Sequence, residues 1–233
     1  MGCACSSRDD DSKLNSEEKF IKAAEEILGI GKLKVAWYDK GISRFAIDQE
    51  LSEKNFKHAY ESLNLSTDFL NDDNSPLFRF YEHFKLMKGY EIRKLACLGI
   101  WLGTDDWKKK AYWLFKNYDR DCSNKLDLLE IRYMLDDMIK LTLAIVEFTQ
   151  FVYPQKSIML QKYLRKIRRS KVMLKKYLVV LIFRGGTVHE ISLIDFLECF
   201  EDSTVKKLIS DQGFRELLME CGELQTQSDL IYS

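Results

Sequence analysis

The sequence predicts an all-α protein. Two prolines and eleven glycines among 233 residues leave long runs of helix-forming residues uninterrupted. Apolar residues recur at helical spacing on both sides of an acidic loop at residues 119–130, which predicts two helices joined by that loop. A hydrophobic content of 46% is enough to form a substantial core in one or two domains.

The first six residues match the pattern for N-terminal myristoylation. Gly2 follows the initiator methionine, and Ser6 stands at the required position. Cys3 and Cys5 are candidates for S-palmitoylation. One myristoyl chain gives only marginal membrane binding, and a second acyl chain makes that binding stable. The alternative is an accidental Gly-Cys start that is not modified. We expect residues 1–15 to be an acylated, flexible tether.

Helical units are also predicted between the tether and the acidic loop. A helix begins at Ser16, while residues 33–45 are ambiguous. A helix–loop–helix unit appears when Ile92 is placed at position 8 of a twelve-residue loop, residues 85–96, which has almost no oxygen ligands. A weaker unit has Leu51 at position 8, and no entering helix fits in front of it.

The loop at residues 119–130 carries oxygen ligands at the spacing that a calcium-binding helix–loop–helix requires. Ca²⁺ takes about six to eight oxygens at roughly 2.3–2.6 Å from a loop that wraps the ion. Position 7 contributes its backbone carbonyl, and the acidic residue at position 12 contributes both carboxylate oxygens. The predicted ligands are Asp119, Asp121, Ser123, the carbonyl of Lys125, Asp127 (directly or through a water) and Glu130.

Position 6 of this loop departs from the ideal, since Asn124 stands where glycine is usual. The turn there requires a positive φ, which asparagine tolerates better than most residues. We therefore expect some loss of affinity but not loss of the site. A solvated acidic turn between two helices is the alternative, which the apolar flanks disfavour. These flanks are Ala111, Leu114, Phe115 and Tyr118 before the loop, and Ile131, Met134, Leu135 and Met138 after it.

The stretch from about 140 to 184 is basic, with no acidic residue between Glu147 and Glu190. Apolar residues interleave with its lysines and arginines, which predicts a basic helix. Three interpretations remain open: a surface for acidic lipid headgroups, a self-inhibitory or calmodulin-target-like helix, and a solvated face packed against acidic residues elsewhere. The acylation signal in the same chain favours the lipid interpretation.

A last helix–loop–helix unit is predicted after the basic stretch. It has Ile191 at position 8 of a loop, residues 184–195, that lacks ligands. Because no such unit buries its apolar face alone, we expect the units to pair through their position-8 residues, Leu126 with Ile191 and Leu51 with Ile92.

A final helix, Val205–Cys221, is predicted to fill the groove of the C-terminal half.

The loop Asp119–Glu130 is similar to an EF-hand. The array over roughly residues 45–205 resembles the N-myristoylated, four-EF-hand neuronal calcium sensors (recoverin-like) and calcineurin B-like proteins, which implies paired EF-hand units with short loop-to-loop β pairing. The chain departs from them in its three loops without ligands and its basic insertion. The implied organisation is an N-terminal tether (1–15), a degenerate EF-hand pair (16–105), a pair with the calcium loop 119–130 and the basic insertion (106–205), and a C-terminal helix and tail (206–233).

Two functions remain open from the sequence. The first is a membrane-tethered calcium sensor that exposes apolar residues and regulates a protein partner. The second is a calcium-independent, lipid-anchored adaptor or regulatory subunit whose loop is structural or holds Mg²⁺. No nucleophile–base–acid set is recognisable, so we do not expect an enzyme.

The expected partners are membrane lipids, reached through the acyl chains and alternatively through the basic helix, and an unidentified protein target. With 36 basic and 36 acidic residues, the chain indicates no nucleic-acid partner. We expect no transmembrane helix, reduced cysteines, and a location on the cytoplasmic face of a membrane.

Overall fold

The computed structural model describes residues 16–231, with side chains through residue 222. In this part of the chain, eleven α-helices and four short strands confirm the all-α prediction. In chain order the elements are α1 (Ser16–Ile27), α2 (Val35–Ser43), β1 (Glu50–Leu51), α3 (Glu53–Ser62), α4 (Pro76–Glu82), β2 (Tyr90–Glu91), α5 (Ile92–Leu102), α6 (Trp107–Tyr118), β3 (Lys125–Asp127), α7 (Leu128–Val152), α8 (Ser157–Ile182), β4 (Glu190–Ser192), α9 (Leu193–Cys199), α10 (Ser203–Lys206) and α11 (Asp211–Ile231).

The ambiguous segment 33–45 forms helix α2. Its buried side chains, Val35, Tyr38 and Ile42, lie on one face of the helix. The helix precedes β1 and α3 in the chain. The expectation that no helix enters the unit around Leu51 was therefore wrong. The pattern was hard to recognise because the helix has only nine residues and its largest apolar residue, Trp37, is 63% exposed.

Two antiparallel strand pairs join the loops. In β3–β4, Leu126 lies opposite Ile191, as predicted. In β1–β2, Leu51 lies opposite Tyr90, so the predicted pairing of Leu51 with Ile92 was wrong. Ile92 is instead the first residue of α5. A shift of two residues keeps every side chain on the same face of a strand, so the apolar pattern could not distinguish the two registers.

The basic stretch from about 140 to 184 does not form one separate helix. Its residues lengthen α7 and α8, which a 3₁₀ turn beginning at Pro154 connects. Ion pairs cross between the helices, from Lys175 to Asp136 and from Arg168 to Glu147, both at 2.6 Å. The residue numbers of these pairs run in opposite directions, so α7 and α8 form an antiparallel hairpin.

The predicted C-terminal helix is interrupted. The backbone of Ser210 is extended, and it separates α10 and a 3₁₀ turn from α11. α11 packs against α8 and α7. The indole Nε1 of Trp101 on α5 donates to the carbonyl of Leu208 at 2.8 Å, and its ring lies 5.5 Å from that of Phe214. The C-terminal segment therefore contacts the first half of the chain as well as the second.

Buried apolar side chains form one continuous core from Ile21 on α1 to Cys221 on α11. Cys97 lies in this core, and Cys199 is partly buried against it. The acidic loop between α6 and α7 lies at the surface of this core, and Leu126 is the loop residue that reaches into it.

Candidate metal centre

The helices on either side of the acidic loop are anchored by their apolar faces. All eight flanking residues predicted to be apolar contacts, from Ala111 to Tyr118 on α6 and from Ile131 to Met138 on α7, are completely buried. The N-cap Asp106 begins α6 by accepting from the Lys109 amide at 3.0 Å. The two helices therefore fix the loop at both ends.

The loop backbone adopts the turn that the ligand spacing requires. Asn124 has a φ of 60°, as predicted for position 6, and Cys122 has a φ of 57°. The Asp121 carboxylate accepts from the Ser123 amide at 3.0 Å, and the Asn124 amide donates to Asp119 Oδ2 at 3.2 Å. These short-range hydrogen bonds wrap the loop around the carboxylates instead of leaving it extended.

Three predicted ligands come together. One carboxylate oxygen from each of Asp119, Asp121 and Glu130 lies within 4.8 Å of the others. Both Asp119 and Glu130 are more than nine-tenths buried, while Asp121 is exposed. Such a set of hard oxygen donors suits Ca²⁺ or Mg²⁺ better than softer metals.

Asp119 has a carboxylate oxygen without a hydrogen-bond partner. Its Oδ1 is buried and accepts from no group among the described residues, although Asp119 itself is 7% exposed. Burying an unpaired charged oxygen is costly, and such atoms in a protein require an explanation. A bound cation would satisfy this oxygen, so the donor set fits a metal.

The Glu130 side chain forms hydrogen bonds both within the loop and at the start of α7. Its Oε1 accepts from the Arg120 amide at 2.8 Å, and its Oε2 accepts from the Asp127 amide at 3.1 Å. Asp127 Oδ1 in turn accepts from the Glu130 amide at 2.8 Å, which completes a capping box at the start of α7. Asp127 is thus placed as a helix cap outside the three-carboxylate cluster, while Glu130 bridges the first loop residues to α7.

The two remaining predicted donors lie on the open side of the loop. The Ser123 hydroxyl donates to the Lys125 carbonyl at 3.2 Å. The hydrogen bonds of Asp121 with Ser123 lower the pKa of the Asp121 carboxyl from its usual value, which favours the ionised form that a metal ligand needs.

The cationic side chains of the loop point away from the carboxylates. Lys125 Nζ pairs with Glu190 Oε2 on β4 at 2.8 Å. The Arg120 guanidinium lies over the Tyr133 ring, 5.7 Å from its centroid. Neither side chain therefore competes with a cation for Asp119 or Glu130.

A buried polar network behind the loop was missed by the sequence analysis. Asp137 on α7 is 2% exposed and accepts from Arg93 Nε at 2.8 Å and from the Tyr118 hydroxyl at 3.3 Å. Burial raises the pKa of Asp137, an effect that Arg93 opposes. The sequence did contain a signal for this network. Asp137 lies three residues after Met134, on the apolar face of the predicted helix, where a carboxylate is unusual. The network links α5 to both helices of the loop.

The other three loops are closed by protein groups. Ile47 and Glu50 exchange backbone hydrogen bonds at 2.9 Å, and Lys85 bridges to Tyr90, so both N-terminal loops fold as hairpins. In the loop 184–195, the first position is Arg184, whose guanidinium pairs with Asp195 and Glu198. Within residues 16–222, Asp119, Asp121 and Glu130 are the only grouped acidic, histidine or cysteine side chains at metal-binding distance.

The predicted acylation sites Gly2, Cys3 and Cys5 lie outside the described residues. Among the helices that are described, none combines the length and apolarity needed to cross a membrane. Comparison of the chain with protein-family models, with curated proteins and with solved structures found no match.

Proposed function

We propose that this protein binds one Ca²⁺ ion in the loop 119–130 and acts as an EF-hand-type calcium sensor that regulates a protein partner. The observation that carries the proposal is the buried, unpartnered Oδ1 of Asp119 beside the carboxylates of Asp121 and Glu130. Ser123 and the Lys125 carbonyl would complete the donor set. The pairing of Leu126 with Ile191, loop to loop, supports an arrangement of paired EF-hand units.

The chain would respond to the ion through α7. A bound divalent cation supplies charge that offsets the repulsion among the three carboxylates. Glu130 lies in the first turn of α7, so a movement of its carboxylate toward Asp119 would reorient α7 against α6. Met134 and Met138, completely buried in this structure, lie on the face that such a movement would open to a partner.

We further propose that the protein is attached to the cytoplasmic face of a membrane. Gly2 would carry a myristoyl chain, and Cys3 and Cys5 would carry palmitoyl chains. The two kinds of acyl chain together would give stable attachment. This function is one of binding and regulation, and we expect no catalytic activity.

Calcium titration of the purified, unacylated protein tests the calcium site. We expect isothermal titration to show about one ion bound with a Kd between about 10⁻⁷ and 10⁻⁵ M. Glu130→Gln should abolish this binding because it removes the ligand that contributes two oxygens. Glu201→Gln is the matched control, since it removes an exposed carboxylate that lies outside the cluster and leaves the Lys125–Glu190 pair intact.

Fluorescence of an apolar dye tests whether binding is regulatory. We expect the dye signal to rise with calcium in the wild type and in Glu201→Gln, and to stay flat in Glu130→Gln. Failure of the wild type to bind below millimolar calcium would end the calcium proposal.

A lipid-anchored adaptor with a structural or Mg²⁺-holding loop is the second candidate. Both carboxylate oxygens of Glu130 accept from loop amides, and β3 pairs with β4, so protein groups alone restrain the loop, which favours a structural role. Under this function calcium would bind without a rise in dye fluorescence, and partner binding would be the same in EGTA.

A further inference from the structure

A groove runs between the two long helices α7 and α8. It encloses about 810 Å³ and is lined by eleven residues. The lining positions on each helix recur three or four residues apart, so each helix contributes one face. The groove begins at Arg132, two residues beyond the last predicted calcium ligand, and extends along α7 to Leu143.

The floor of the groove is apolar and partly open to solvent. Val172 and Val180 on α8 are 57% and 55% exposed, a large fraction for aliphatic side chains. Ile139, Leu143 and Val179 are more buried and continue the same surface. The backbone groups of both walls are engaged in their own helices, so the floor presents side chains and no free strand edge.

The rim of the groove is positively charged. Its one acidic residue, Asp136, is already paired with Lys175, which donates to both carboxylate oxygens at 2.6 and 2.8 Å. Four further cations line the groove, and no ion pair joins them to a carboxylate within the part of the chain that the structure describes. They are Arg132 and Lys140 on α7 and Lys171 and Lys176 on α8.

The size of the groove favours a small ligand over a protein surface. Its volume falls within the range of about 300–1,000 Å³ that is typical of small-molecule sites. Eleven lining residues are fewer than the roughly 20–30 that each side of a standard protein interface contributes. An apolar floor with a cationic rim matches a ligand that has an apolar tail and an anionic headgroup.

We propose that the groove binds a single anionic membrane lipid. One acyl tail would lie against Val172, Val179 and Val180, and the headgroup would meet the cations of the rim. The inference deepens the proposed membrane attachment. It rests on that attachment, because the membrane would be the source of the lipid. It makes no use of the calcium loop, so it adds a second membrane contact within the folded protein.

Titration with short-chain phosphatidylserine, kept monomeric, tests the site. The full, unacylated chain is used in EGTA, and binding is followed by isothermal titration and by two-dimensional NMR of the backbone amides. We expect saturable binding with shifts confined to the facing sides of α7 and α8. Short-chain phosphatidylcholine and inorganic phosphate should bind much more weakly, because each lacks one half of the recognised chemistry.

The double variant Lys171→Gln/Lys176→Gln should weaken phosphatidylserine binding about twenty-five-fold, at about fivefold for each basic residue near an anionic lipid. Lys162→Gln/Lys166→Gln is the matched control, with equal charge removed from exposed positions of α8 outside the groove. It should bind as the wild type does. Val172→Asp should also abolish binding, because it places a carboxylate in the floor.

Three results would overturn the proposal. Equal weakening by the control pair would mean that the lipid responds to the bulk charge of α8. Equal binding of inorganic phosphate would mean that the apolar floor contributes nothing. Binding of an acidic amphipathic peptide without binding of the lipid would assign the groove to a protein helix. Because calcium is absent throughout, failure here is separate from failure of the calcium titration.

Discussion

Single residues decide whether the acidic loop is a cation site. The Asp119 oxygen that has no partner lies within a loop whose other buried side-chain oxygen and nitrogen atoms are hydrogen-bonded. A solvated acidic turn would leave its carboxylates in water, whereas Asp119 and Glu130 are buried. At this scale the cost of burying charged oxygens, which is large when they are unpaired, favours the metal site over a simple turn.

Substitution of Asn124 tests the strain in the turn. Asn124 has a φ of 60°, a conformation that a β-branched residue adopts only at a cost of about 1–2 kcal/mol. We expect Asn124→Val to lower the free energy of unfolding by about that amount and to weaken calcium binding. Urea denaturation and calcium titration measure the two effects.

Asn124→Gly provides the control for this prediction. Both variants lose the weak contact of Asn124 with Lys116, but glycine accepts the positive φ without strain. The glycine variant should therefore bind calcium at least as tightly as the wild type. Equal loss in both variants would show that the asparagine side chain, and not the backbone conformation, supports the loop.

At the scale of elements, a buried ion cluster joins the first and last helices. Arg215 on α11 is 1% exposed and donates to Glu18 at 2.7 Å and to Glu25 at 3.0 Å, both on α1. It also pairs with Asp211, while Tyr163 on α8 donates to Glu18. Three carboxylates thus face one guanidinium in the interior, which makes the contact between α1 and α11 sensitive to protonation.

The pH dependence of the free energy of unfolding should reflect the ionisation of Glu25. Burial raises the pKa of Glu25 above its usual value of 4.5, an effect that Arg215 opposes and Glu18 reinforces, with Lys22 opposing it more weakly. A raised carboxyl pKa means that the folded state retains the proton more strongly, so stability is lost as the pH rises above about 4.5.

Comparison with Glu25→Gln isolates this contribution. The free energy of unfolding of the variant should increase relative to the wild type as the pH rises from 4.5 toward neutrality. Urea denaturation at a series of pH values measures the difference. Glu26→Gln, an exposed neighbour on the same helix, should run parallel to the wild type. A parallel course for Glu25→Gln as well would exclude Glu25 as the source.

At the scale of the whole molecule, the core does not divide at the boundary between the two predicted halves. Buried residues from α1 to α11 belong to one cluster, and Trp101 connects α5 to the C-terminal segment. The Arg93–Asp137 pair similarly connects α5 to α7. A change at the loop 119–130 would therefore reach the first half of the chain through direct packing contacts.

We expect the protein to unfold as one cooperative unit. Urea transitions followed by tryptophan fluorescence and by far-ultraviolet circular dichroism should coincide, because the core is continuous. Calcium at a hundred times its Kd should stabilise both transitions by about 2.7 kcal/mol. Glu130→Gln should show no calcium effect. Two separate transitions, only one of them sensitive to calcium, would show instead that the halves fold independently.

Much of this arrangement follows from local sequence. The ligand spacing from Asp119 to Glu130, the positive φ at Asn124 and the buried flanks of the loop depend on residues close in the chain or on strong apolar periodicity. These features could be predicted because helix and turn geometry restrict a short segment to few conformations.

Other features depended on contacts between distant residues. The partner of Leu51, the interruption of the C-terminal helix at Ser210 and the neutralisation of Glu18 by Arg215 could not be predicted. The sequence by itself determined an all-α chain with one loop chemically suited to a hard cation. Only the tertiary structure decided which oxygen is left without a partner and where the basic residues line an apolar groove, because burial and charge pairing are set by segments far apart in the chain.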